Sequence, residues 1–217
     1  MTTLGQRFLK FFLHLAFGLA VFAALMMGVG YWIYSSYQRG AEASAFVQAL
    51  AQVERESDPA TLARALAQGL DRASAEDAEL TVFWLEQRAH QGAIPALYFM
   101  GLYAEKAGWR DRALEFVSAA ALVGRVDAAR CGSPEAMEAV EQLESRLNLG
   151  AAFELLRQDP GRRVRLVQWA LDYEEAHRSR PRAAWICGAS PANPAAEAAW
   201  PRRRSEVRAE FERRFAT

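Results

Sequence analysis

The stretch "FVSAAALVGRVDAARCG", Phe116–Gly132, holds four small residues in succession from Ser118 to Ala121, two glycines eight apart, and one cysteine. Within it no acid, nucleophile and metal ligand combine into a recognisable site. Small side chains let helix axes approach closely, and glycine accepts backbone angles that other residues avoid. The stretch therefore reads as a helix-packing junction. Gly124 is expected to end the helix that carries "RDRALEFVSAAALV", with a second helix contact following it.

The segment upstream supports a repeat. Sliding "TVFWLEQRAHQGAIPA" by 32 residues lays it on "ALEFVSAAALVGRVDA". Trp84 then meets Phe116, Leu85 meets Val117, Ala89 meets Ala121, Gly92 meets Gly124, Ile94 meets Val126 and Ala96 meets Ala128. A period in the 30s, with glycine closing one helix and alanine inside the next, is the pattern of stacked helical hairpins.

Helix starts and stops can be named on both sides. Ser74 with Asp77 predicts an N-cap and a helix to about Ala89, and Pro95 opens another to about Ala107. Ser133-Pro134-Glu135 opens a further helix, and Asp159-Pro160 begins one that runs to about His177. Sustained strand alternation is absent, and short connections favour antiparallel neighbours. "SDPATLARALAQGL" is expected to cap the array on one side. "SPEAMEAVEQLESRLNLGAAFELL" and "PGRRVRLVQWALDYEEAH" cap it on the other, with Val164, Val167 and Leu171 at helical spacing and Trp169 offset from them.

"FVSAAALVGRVDAA" resembles the A-A-x-x-G-x-x-x-A junction of Sel-type tetratricopeptide-like repeats, through Ala120, Ala121, Gly124 and Ala128. "GAIPALYFMGLYAEKAG" resembles the first helix of such a unit, through Gly92, Ala96 and Gly101. Tyr103 stands one place early for that family, and its loop acid is displaced to Asp111. The resemblance covers roughly 81–129, and it implies a protein-binding scaffold rather than a catalyst. Tyr98, Tyr103, Trp109 and Arg112 are the candidates for a partner-binding groove, the alternative being that the aromatics are core.

The N-terminal region points to a membrane. From Phe11 to Tyr34 the chain has 24 residues without a formal charge. As a helix these span about 36 Å, against a hydrocarbon core of about 30 Å. The length favours an uncleaved anchor over a signal peptide, whose apolar region is about 7–15 residues. The A-x-A pairs Ala41/Ala43 and Ala43/Ala45 lie well beyond the run. Arg7 and Lys10 precede the span while Arg39 and Glu42 cancel after it, which puts the N-terminus in the cytoplasm. Tyr31, Trp32, Tyr34 and Tyr37 form an interfacial aromatic belt. Ala16, Ala20, Ala24 and Gly28 share one face that suits helix pairing, although alanine is abundant throughout the chain.

Composition narrows the chemistry. The 26 basic and 26 acidic residues balance, so no global charge favours nucleic acid. Lys10 and Lys106 are the lysines of the chain, and with abundant alanine this points to a GC-rich bacterial genome. His14, His90 and His177 lie at no ligand spacing from Cys131 or Cys187, which argues against zinc. In an oxidising compartment the two cysteines read as a disulfide; the alternative is two buried thiols. No nucleophile–base motif occurs, and the acids of "EQLES" and "YEEAH" read as solvated helix faces. "GASPANP" reads as a connector. Residues 201–214 carry six arginines against three glutamates. A helix after Pro201 would be either a surface helix laced by its own pairs or a docking arm for an acidic partner.

The sequence thus predicts an all-α protein with a cytoplasmic tail (1–10), a transmembrane helix (11–34) and a membrane-proximal helical cap (35–73). A tetratricopeptide-like solenoid of helical hairpins (74–178) follows, then a connector and charged helix (179–217). The expected role is an inner-membrane scaffold or accessory subunit that binds other envelope proteins from the periplasm. It is read as a non-enzyme with no cofactor, metal, nucleic acid or small-molecule substrate. Recruitment mainly through the transmembrane helix is the first alternative, and an enzyme or regulator with a dispersed site the second.

Overall fold

A computed structural model describes residues 3–150, 154, 158–188 and 194–216, with side chains from 14 to 214. All regular structure among these residues is helical. The helices are α1 (Thr3–Ala43), α2 (Ala45–Glu56), α3 (Pro59–Arg72), α4 (Ala75–Glu86) and α5 (Ala96–Lys106). They continue with α6 (Arg110–Cys131), α7 (Pro134–Arg146), α8 (Pro160–Ala176), the short α9 (Ala184–Cys187) and α10 (Pro194–Ala216).

The chain divides after Gly40 into two units. In the first, α1 includes a stretch starting at His14 that is long and apolar enough to cross a membrane, with mean hydropathy 1.9. Its large apolar side chains are exposed, Phe17, Met27 and Trp32 among them. Apolar residues on every side of a helix suit a lipid surround.

In the second unit, from Ala41 on, local chemistry sets the helix starts. The Ser44 hydroxyl accepts from the Val47 amide and donates to Asp77, while the Ser74 hydroxyl accepts from the Asp77 amide. Asp77 therefore ties the N-caps of α2 and α4 together. Asp58 and Asp159 cap α3 and α8 by accepting from Thr61 and Arg162 amides, each with proline at the first helical position. Gly132, at φ 74°, ends α6 in the left-handed conformation.

Packing converges on α6. It lies against α5, α7, α8, α9 and α10, and its residues are buried almost without interruption from Ala113 to Ala128. A helix covered on all sides needs small residues where neighbours cross, and Ser118 to Ala121 supply them. Gly101 of α5 meets this helix closely: a β-carbon there would stand 2.6 Å from Val117 Cγ2. Before α6, helix α2 lies against α3 and α4, and α5 against α3 and α4. The segments read as cap, repeat and C-terminal connector share one core, which runs from Ala41 and Val47 to Leu171 and Phe211.

Two sequence expectations are corrected. Gly124 does not end a helix but sits inside α6, whereas its 32-residue counterpart Gly92 occupies a left-handed turn at φ 68°. The match in residue type is thus not a match in conformation: one glycine serves a turn and the other makes room for a side chain. The last helix begins at Pro194 rather than after Pro201, which it contains. The "GASPANP" connector falls largely on residues 189–193, outside the described residues, as does most of 151–157.

Candidate functional site: buried ion pairs around the central helix

Tyr98 of α5 passes across α6 at Gly124 to reach α7. Its hydroxyl donates to Glu144 Oε1 at 2.9 Å, and Arg125 grips both oxygens of the same carboxylate at 2.6 and 2.8 Å. A β-carbon on Gly124 would lie 2.8 Å from the Tyr98 hydroxyl and 3.4 Å from Val140 Cγ1. Burial pushes the Tyr98 phenol well above its ordinary value, and the adjacent Glu144 charge adds to this. The hydroxyl remains a donor and does not become a base.

A second cluster joins α6, α8 and α10. Arg180 is buried and donates to Asp127 through Nη2 at 2.7 Å and Nε at 3.1 Å, and to Glu174 through Nη1 at 3.3 Å. Glu174, fully buried, also receives Arg204 at 2.6 and 3.0 Å and Arg208. Arg130 adds Glu197 of α10 and the Arg180 carbonyl. Burial alone would raise the Glu174 carboxyl, but the hydrogen bonds from Arg204 and Arg208 hold it below the ordinary glutamate value. At Asp127 burial prevails over Arg180, and the carboxyl is raised.

Covalent and aromatic contacts complete this side. Cys131, at the end of α6, and Cys187 of α9 form a disulfide with Cα atoms 5.2 Å apart. The segment between Arg180 and α9 packs on the α4–α5 turn: the Ala184 amide donates to the Gly92 carbonyl at 2.7 Å. A β-carbon at Gly92 would meet the Arg182 carbonyl at 3.0 Å. Along one face of α8, Trp169 and Tyr173 stack, and Tyr173 lies tilted against His177 at the end of the helix, with Phe116 edge-on to Trp169 and His90 lying on His177.

The predicted site residues are distributed as follows. Trp84, Ala96, Gly101, Phe116, Ala120, Ala121, Gly124 and Ala128 are buried, and Ala89 and Gly92 are half-buried in the turn after α4. Tyr98 and Tyr103 are almost wholly buried, so for these two the core alternative holds rather than an open partner-binding groove. Their hydroxyls bond inward, to Glu144 and to the Leu66 carbonyl, and fill space between helices. Trp109 is half-buried edge-on against Phe83, and Arg112 is exposed and paired with Glu115. Ala16, Ala20, Ala24 and Gly28 are exposed, with no atom near a β-carbon built on Gly28.

"YEEAH" and "EQLES" are corrected in part: Glu175 and Glu141 are exposed as expected, but Glu174 and Glu144 are buried ion-pair centres rather than solvated acids. Of the C-terminal arginines, Arg202 pairs with Glu206 on its own helix, as the surface-helix reading expects, whereas Arg204 and Arg208 are engaged by the chain's own Glu174. The signal available in sequence was only composition, because acid and arginine stand about 30 residues apart.

The carboxylates of these clusters are clamped by guanidinium groups, which suits holding helices together rather than moving protons. Among the described residues no group of three His, Cys, Asp or Glu could hold a metal ion. Comparison with protein-family models, curated proteins and solved structures finds no match for the chain.

Proposed function

We propose that the chain is a membrane-anchored helical scaffold whose second unit stands on the oxidising side of a bacterial inner membrane and binds other envelope proteins. One observation carries this reading: an exposed apolar helix, α1, belongs to the same chain as a helical unit closed by the Cys131–Cys187 disulfide. Disulfides persist in oxidising compartments and are rare in the cytosol, so the bridge favours the periplasm for the second unit. The flanking charges of Arg7 and Lys10 favour the same orientation. Ala41 is buried and α1 continues to Ala43, so the first A-x-A pair is helical, which supports an uncleaved anchor.

The Sel-type reading is supported by α2 to α5, where α2 adjoins α3 and α4, and α5 adjoins α3 and α4, and not by the small-residue stretch, which lies inside α6. In that reading these helices are the stacked part, and α6 to α10 close it.

A second reading is favoured by the surface. Beyond Ala41, Val164 is the exposed large apolar side chain among the described residues, whereas the face of Ala16, Ala20, Ala24 and Gly28 is open. Recruitment through α1 follows from that face. Crosslinking in native membranes, followed by identification of co-purified chains, tests both. If the scaffold reading holds, exchanging α1 for an unrelated anchor preserves the partners. Substituting Ala20 and Ala24 by Leu removes them if α1 recruits. Recovery of the protein alone, under conditions that keep other envelope complexes intact, refutes both.

A further inference from the structure

The His90 and His177 imidazoles lie face to face, ring centroids 3.8 Å apart and planes within 7° of parallel. Tyr173 flanks both, at 5.7 Å from His90 and 4.4 Å from His177. His90 belongs to the turn between α4 and α5, and His177 caps α8. The turn and the segment after α8 also meet at Gly92 and Ala184, so two contacts hold them together.

The hydrogen bonds of the two rings differ. His177 Nδ1 lies 2.8 Å from the Tyr173 carbonyl, which only accepts, so this nitrogen carries a hydrogen. His90 Nδ1 is buried without a hydrogen-bond partner among the described residues. A neutral ring can leave that nitrogen bare. A protonated ring would place an N–H there with no acceptor, stacked on a second basic ring and within the field of Arg180.

The titratable and charged groups around His90 are His177 and Tyr173 from α8, Arg180 after it, and Glu86 at the end of α4, which acts on Tyr173. The Arg180 charge is matched by Asp127 and Glu174. Burial, with the charges of His177 and Arg180 adding to it, lowers His90 from 6.5 to about 4.

We propose that the His90–His177 stack is an acid-sensitive latch holding the α4–α5 turn on the segment that leads from α8 to the disulfide. With His90 uncharged the stack is closed. A proton on His90 opens it, freeing the turn while Cys131–Cys187 retains the far end of the segment. The folded value lies below the unfolded one, so the stabilisation is complete above 6.5 and is lost as pH falls toward about 4.

Hydrogen exchange of the full chain in detergent micelles at about pH 7 and about pH 4.5, corrected for intrinsic rates, reads the latch directly. Amides of residues 88–93 are expected to lose on the order of fiftyfold in protection at the lower pH, the change that values of 6.5 in the open and about 4 in the closed state require, while α6 keeps its own. His90→Phe preserves a ring and removes the proton, so its turn should respond to pH no more than α6 does. Equal protection at both pH values in the parent overturns the proposal. So does an unchanged acid response in His90→Phe, which would assign the effect to the Glu174 carboxylate, the one whose folded value is lowered. If that variant does not fold, the C2 proton of His90 in the parent decides: a midpoint near 4 supports the latch, and one near 6.5 refutes it.

Discussion

Arg180 and Asp127, 53 residues apart in sequence, meet through two guanidinium nitrogens with both side chains almost wholly removed from solvent. A buried pair of this kind is a weak source of net stability, since both charges give up their hydration. Removing one member is a different matter, because the other remains buried and unpaired.

Arg180→Met is therefore expected to lose about 3–5 kcal/mol of stability, read by urea unfolding of the full chain in micelles. Asp127→Leu combined with Arg180→Met should lose less than the two single losses added together, since the residues act as a pair. A single-variant loss within about 0.5 kcal/mol would show that the contact does not form.

At Gly124 the sign of the effect is the test. Glycine inside a helix is ordinarily worse than alanine by about 0.5–1 kcal/mol, so Gly124→Ala would stabilise a helix with open space at that position. Here the new carbon would fall 2.8 Å from the Tyr98 hydroxyl, and Gly124→Ala should instead destabilise by about 1–3 kcal/mol. In a Tyr98→Phe background that clash is relieved, and the added cost of Gly124→Ala should shrink. A stabilising Gly124→Ala would place Tyr98 elsewhere.

These two glycines show what could be read from the chain alone. Ser74, Asp159 and Pro160 act through neighbours within three residues, so their caps are legible in order. Gly92 and Gly124 look alike in sequence because glycine serves equally a left-handed turn and a close approach. Only the partner, Arg182 in one case and Tyr98 in the other, separates the roles. The buried roles of Glu144 and Glu174 were hidden for the same reason. A carboxylate at a helical surface spacing is indistinguishable from a buried one until the arginine that meets it, Arg125 or Arg204, has been brought there by the fold.

Glu174 carries an acid-side prediction. Its folded value is lowered, so its contribution is present above 4.5 and disappears as pH falls further through the folded value. Glu174→Gln should be less stable than the parent at neutral pH and should converge on it below that range. Parallel pH profiles for the two proteins would remove Glu174 from the acid response.

The disulfide makes the last prediction, and it concerns order of loss as well as size. Cys131 and Cys187 are separated by 56 residues, and the loop they close contains α7 and α8. Closing a loop of that length restricts the unfolded chain by about 4 kcal/mol in the entropy treatment. Reduction, or Cys131→Ser with Cys187→Ser, should lower the unfolding midpoint by a corresponding amount. Local protection should fall first at residues 181–188, which depend on the bridge and on the Gly92 carbonyl for their position. Protection of α6 should fall last, since α5 and α8 still cover it without the bridge. Thiol labelling of denatured, unreduced protein provides the control: no free thiol is expected. Two free thiols, or an unfolding midpoint indifferent to reductant, would show that the bridge does not form and would also withdraw the main support for an oxidising compartment.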